Sequence, residues 1–121
     1  MTAEVLATTG VTAFVAALAA FGAEPVAEGP LLIYTVIPVT GALAGRPVRT
    51  GVGADEVMPW PVAPPHWIHL PAEIAFANTN SGESPKDGWR AHSRDIGAWG
   101  TARLSVAAWL AHVRGVLGGA V

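Results

Sequence analysis

Two short clusters carry side chains able to do chemistry. His92-Ser93-Arg94-Asp95 sets a base, a hydroxyl, a cation and an acid side by side, the groups that acyl transfer or hydrolysis uses as general base, nucleophile and orienting carboxylate. Neighbours along a chain point apart in most conformations, however, and catalytic Ser, His and Asp normally converge from separate segments. The same residues therefore also read as turn chemistry, with Ser93 or Asp95 satisfying free backbone N–H groups and Arg90 or Arg94 pairing with Asp87 or Asp95. His92 is the first choice for a catalytic group in the stretch 71–95, because an imidazole changes charge near neutral pH. The second cluster, His66-Trp67-Ile68-His69, has an H-x-x-H spacing that suits metal binding on a helix face. On a strand that odd offset sends the imidazoles to opposite faces, so no metal is expected. Parity places Trp67 and His69 on one face and His66, Ile68 and Leu70 on the other, with one face buried.

The elements that must position these groups come from a chain of 121 residues, 51% hydrophobic and 13% charged, without cysteine. That length suits a single domain spanning 1–121 with a core of its own, needing no disulfide or metal staple. The absence of cysteine removes disulfides, thiolate nucleophiles, thiolate metal sites and iron–sulfur clusters. Seven basic residues against nine acidic ones give a net charge of −2, which offers no field for a polyanion, so no nucleic acid is expected as a partner. The first 45 residues hold Glu4, Glu24 and Glu28 and no Lys or Arg; a secretory leader would need positive charge there. The longest apolar run is broken by Gly10, Thr12 and Gly22 and falls short of the ~20 residues of a membrane span. A cytoplasmic location, away from membranes, is the expectation.

Hydrophobic period sorts the chain into elements. In 2–22, Val11, Phe14, Val15, Leu18 and Phe21 share one helical stripe, closed by Gly22 as C′ and Pro25 beyond it. Between Val26 and Val57 the pattern becomes β-branched and aromatic: Pro30–Val39 and Pro47–Val52 read as adjacent antiparallel strands joined by the Thr40–Arg46 turn. Gly51-Val-Gly53 lacks the further glycine and helix of a phosphate loop. Pro59, Pro61, Pro64 and Pro65 rule out regular structure and predict a rigid extended connector into a short strand, His66–Leu70. Residues 71–88 hold turn formers without a sustained period, and long loops of this kind are usually functional. Thr101–Leu117 reads as a closing helix ended by Gly118-Gly119, with Trp109 in its core stripe.

This order resembles the ubiquitin-conjugating (UBC-like) superfamily: N-terminal helix, antiparallel meander with Gly41 and Gly45 in its turn, proline connector, short strand, long loop, Trp-rich turn, closing helix. Trp60-Pro-Val-Ala-Pro-Pro65 is similar to that family's tyrosine-Pro-x-x-Pro-Pro connector, with Trp60 in the tyrosine's place. Trp89-Arg-Ala-His-Ser-Arg-Asp95 followed by Trp99 is similar to a tryptophan, Ser-Arg and tryptophan pattern in prokaryotic members found beside ubiquitin-like and activating-enzyme-like genes. The resemblance implies a UBC-like α+β fold with three or four antiparallel strands. It also implies a place in a prokaryotic ubiquitin-like conjugation pathway, with a ubiquitin-like or activating-enzyme-like protein as partner.

The departures matter as much. Thioester relay needs a thiolate, both nucleophile and leaving group near neutral pH, and this chain has no cysteine. The family's His-Pro-Asn motif is missing too, although Asn78 and Asn80 lie in the corresponding loop. The expectation is a cysteine-free, noncatalytic adaptor without cofactor, binding through Trp60, Trp67, Asn78, Asn80, Trp89, Arg90, Arg94 and Trp99. Each of these tryptophans taken singly reads as core filler ahead of partner anchor. The alternatives are a small hydrolase or transferase using His92 with Asp95 or Ser93, and a structural domain whose uncharged helix 2–22 buries against a copy of itself.

Overall fold

The computed structural model describes residues 9–77, 79–99 and 105–121. Helix α1 (Gly10–Ala20) is followed by strands β1 (Val26–Glu28), β2 (Leu31–Val36), β3 (Val48–Gly53), β4 (Ile68–Pro71), β5 (Asn80–Glu83) and β6 (Trp89–Ser93), then by helix α2 (Ser105–Leu117). The fold is α+β, with one six-stranded sheet in the order β1-β2-β3-β4-β6-β5, every neighbouring pair antiparallel. The sheet thus exceeds the three or four strands expected. The surplus comes from β1, a three-residue edge strand, and from the stretch 71–95 expected as a loop, which instead forms the β5–β6 hairpin. Asn-Ser-Gly-Glu in β5 has almost no strand propensity. It is held by pairing with β6, which is itself paired to β4 from Ile68↔His92 to Pro71↔Trp89.

Helix α1 keeps the expected stripe only in part. Phe14 and Leu18 are fully buried, whereas Phe21 is 52% exposed. The helix stops in a Schellman motif: Gly22 takes φ +75°, its N–H donates to the Ala19 carbonyl, and the Ala23 N–H donates to the Leu18 carbonyl. Apart from Phe21, the stripe is spent on the domain's own core, which limits what α1 has to offer a second copy. Residues 2–8 of the expected helix, and 101–104 of the closing one, lie outside the described residues. Neither described helix is long and apolar enough to cross a membrane.

The core lies between one sheet face and the two helices. Leu32, Tyr34 and Val36 of β2 stand opposite Val52, Thr50 and Val48 of β3, joined by Ile68 and Leu70 of β4. The face is covered by Phe14 and Leu18 of α1 and by Val106, Trp109, Leu110, Val113 and Leu117 of α2. Trp109 Nε1 donates to the Tyr34 hydroxyl at 2.7 Å, a buried polar pair tying α2 to the middle of the sheet. Trp60 sits among them, its ring 4.8 Å from Phe14 and 5.5 Å from Trp99. The connector before it is coiled rather than extended. Trp60 N–H donates to the Val57 carbonyl and Val62 N–H to the Pro59 carbonyl, and the Trp60–Pro61 peptide is cis. Prolines here set consecutive turns, which their fixed φ also permits.

The opposite face is covered as well, which corrects the one-buried-face expectation for β4: Ile68, His69 and Leu70 are all buried. Leu31 and Ile33, alternating with the core residues of β2, are 0% and 1% exposed. The tip of the β5–β6 hairpin curls back over this face of the sheet. Ser84 Oγ meets His69 Nδ1 at 2.9 Å, Pro85 borders the same cavity as Leu31, and Lys86 Nζ reaches Glu28 of edge strand β1 at 3.0 Å.

Replacing Tyr34 by Phe removes the partner of the buried Trp109 N–H. It should lower stability by about 1–3 kcal/mol, read as a drop in the urea midpoint without a change in slope.

Candidate functional site

A cleft of about 510 Å³ opens where the connector, the β5–β6 strand ends and α2 meet. Pro64, Pro65 and His66 form one wall, Asn80 and Ser93 the strand ends, Arg94 to Ile96 the chain leaving β6, and His112 the helix side. Each group arrives there for a local reason. Glu56, in the 3-10 turn Ala54–Val57 after β3, accepts the N–H groups of His66 and Trp67 at 2.8 and 3.0 Å, so one carboxylate clasps both ends of the proline connector. Burial alone would raise the Glu56 pKa, but the His69 imidazole and those two N–H donors outweigh it and hold the carboxyl below its ordinary value. Ser93 stands across from Asn80 in the β5–β6 ladder, and its Oγ lies 3.2 Å from His66 Nε2. His112 projects from α2 toward Arg94 and Asp95; burial and the Arg94 charge lower its pKa against the opposing pull of Asp95 and of a hydrogen bond with the Arg94 backbone.

His92, Ser93 and Asp95 do not form a triad. His92 lies on the other face of β6, because consecutive strand residues alternate. There it packs edge-on to Phe76 at 4.8 Å, pairs its Nδ1 with Thr79 Oγ1 at 3.0 Å, and leaves Nε2 buried without a partner. Asp95 accepts the Gly97 N–H at 2.8 Å and closes a turn, the capping role its residue type suggests. The imidazole that actually meets Ser93 is His66, which strand parity alone did not single out.

The expected binding residues scatter. Asn80, Ser93, Arg94 and Asp95 share the cleft. Trp60 is in the core at 3% exposure, and Trp99 is half-buried beside it, its Nε1 donating to the Pro61 carbonyl at 2.8 Å. Trp67 packs against His66 and over Gly82, Trp89 lies beneath the cations of Arg49 and Lys86, and Arg90 donates to Ser81 Oγ at 3.1 Å. Asn78 lies outside the described residues. Reading the sequence missed His66, His112 and the Pro64–Pro65 wall as cleft residues. Only the second proline pair, directly preceding His66, hinted that this end of the connector would be stiff. Among the described residues no group of three or more His, Asp or Glu side chains converges as a metal ion would require.

Both His92 and His112 have lowered pKa values, His92 through burial and then the charges of Arg90 and His69. The unfolded chain then binds more protons than the folded one below about pH 6.5, so their contribution is complete above that pH and is lost as pH falls through it. The denaturation midpoint should therefore drop between pH 8 and pH 5, and His92→Gln should shrink that drop. An unchanged pH dependence in the variant would count against this assignment. Comparison with known protein families, with curated proteins and with solved structures finds no match to this chain.

Proposed function

We propose that this domain is a noncatalytic UBC-like adaptor, acting in a prokaryotic ubiquitin-like conjugation pathway and therefore in the cytoplasm. In this reading it binds a ubiquitin-like or activating-enzyme-like protein through the cleft at His66, Asn80, Ser93, Arg94 and Asp95. Three features support it. The chain lacks cysteine, which leaves thioester relay without its nucleophile. Part of the order the resemblance implies is present, with a helix first and last and the proline connector between β3 and β4, although the β5–β6 hairpin stands in place of the long loop. The carrying observation is the cleft itself: it opens beside that connector and is lined by a cation, an amide, a hydroxyl and two imidazoles against a single carboxylate. Such a lining can hydrogen-bond an extended peptide backbone or a terminal carboxylate.

The test is titration of the folded chain with ubiquitin-like proteins encoded near its gene. Binding in the micromolar range is expected, weakened at least tenfold, about 1.4 kcal/mol, by Arg94→Glu or by a bulky Ser93→Arg filling the cleft. Absence of binding at high micromolar concentration, or binding indifferent to both substitutions, would remove this function.

A further inference from the structure

Across the sheet from the cleft, the hairpin tip brings together three side chains that no part of the adaptor reading uses. Ser84 comes from the tip, His69 from β4 and Glu56 from the 3-10 turn after β3, and together they follow the order hydroxyl, imidazole, carboxylate. Ser84 Oγ lies 2.9 Å from His69 Nδ1, and the other imidazole nitrogen, Nε2, faces Glu56 Oε2 at 3.7 Å. His69 is 4% exposed, and its Nε2 has no hydrogen-bond partner at that distance. The Lys86 N–H donates to Ser84 Oγ at 3.2 Å, so the hydroxyl proton is free to point at Nδ1. That leaves the Nε2–H tautomer aimed toward Glu56. The carboxylate is itself fixed by the His66 and Trp67 N–H groups.

The backbone is shaped around this arrangement. Gly51 of β3 is directly across from His69, so no β3 side chain stands beside the imidazole on that face. A Cβ on Gly53 would come within 3.0 Å of Glu56 Oε2 and 2.8 Å of Asp55 Oδ1, so the glycine leaves room for the carboxylates. Beside His69 and Glu56 lies a cavity of about 490 Å³, walled further by Pro30, Leu31, Ala54 and by Pro85, the residue after Ser84, within the size range of small-molecule sites.

We propose that Ser84, His69 and Glu56 form a second site on this domain, in which Ser84 is the nucleophile for acyl transfer from small uncharged carboxylic esters. Ser84 Oγ adds to the ester carbonyl carbon while its proton passes to His69 Nδ1. The C–O bond to the alcohol breaks, and His69 returns the proton to the leaving alkoxide. Water then adds to the acyl-serine with His69 again taking and returning a proton, releasing a carboxylic acid and restoring Ser84. Glu56 is a positioning residue that faces the imidazolium formed in each half-reaction. The 3.7 Å gap is of the loose kind found in unliganded sites, where such contacts tighten on binding. Apolar walls and the Asp55 and Glu56 carboxylates select against anionic esters, hence the uncharged class. Glu56 also holds the connector beside the cleft, but the proposal does not rest on the adaptor reading.

The test treats the folded full chain with a fluorophosphonate probe, which forms a P–O bond to an activated serine and expels fluoride, and maps the adduct by mass spectrometry. A single adduct on Ser84 is expected, absent in Ser84→Ala and formed at least tenfold more slowly in His69→Gln, with circular dichroism confirming that each variant is folded. In Glu56→Gln, whose amide oxygen can still accept the His66 and Trp67 N–H groups, labelling should slow at least tenfold and recover in Glu56→Asp; a purely structural carboxylate would leave the rate in place. No adduct on folded wild-type chain, an adduct on Ser93 instead, or labelling of Ser84 at an undiminished rate in folded His69→Gln would overturn the proposal. Should His69→Gln fail to fold, an undiminished labelling rate in folded Glu56→Gln overturns it equally.

Discussion

Strand β2 is apolar on both faces, and the sheet must therefore be covered twice. Leu32, Tyr34 and Val36 face the helices, while Leu31 and Ile33 face the other way, and all five are buried. Burying an aliphatic side chain of this size contributes about 1.5–3 kcal/mol, and stranding two of them in water is the alternative to folding the hairpin tip over them. The ion pairs at the tip are secondary by magnitude. Glu28 meets Lys86 and Arg49 at the surface, where such pairs contribute ~0–1 kcal/mol. The hydrogen bond from Lys86 holds the Glu28 carboxyl below its ordinary pKa, against partial burial and with help from Arg49. These charges choose where the tip lands on β1, and the apolar pair beneath supplies the reason for it to land.

Both candidate sites follow from that closure. The tip's return places Ser84 over His69, and the backbone of the same hairpin fixes Asn80 and Ser93 at the mouth of the cleft. Glu56 connects the two. One of its carboxylate oxygens clasps the start of β4 through the His66 and Trp67 N–H groups, and the other faces His69. A single side chain thus stands behind His66 at the cleft and behind His69 on the outer face.

How far the sequence discloses this depends on whether a feature is periodic or convergent. Phe14 and Leu18 in α1, and Trp109 and Val113 in α2, lie where a 3.6-residue period puts them. The unbroken run Leu31–Val36 carries the signature of a strand buried on both faces. Strand β5 carries no such signal, since Asn80-Ser-Gly-Glu83 becomes a strand only through its neighbour β6, a tertiary effect outside local propensity. The same limit hid both serine–histidine meetings. Ser93 and His66 are 27 residues apart and Ser84 and His69 are 15 apart, the first pair joined by the pairing of β4 with β6 and the second by the return of the hairpin tip. His92 misled because it is adjacent to Ser93 in sequence, and adjacency on a strand means opposite faces. The fold class was thus open to reading, whereas the composition of each site was not.

Closure of the tip over β2 is the claim on which the outer-face site depends, and nuclear Overhauser contacts in solution measure it directly. The account predicts contacts from Ser84 Hβ to the His69 ring and from Lys86 Hε to the Glu28 side chain, together with slow amide exchange along Leu31–Val36. A hairpin whose tip shows neither contact would contradict it, most clearly if the Leu31 methyl groups prove accessible to a soluble paramagnetic agent.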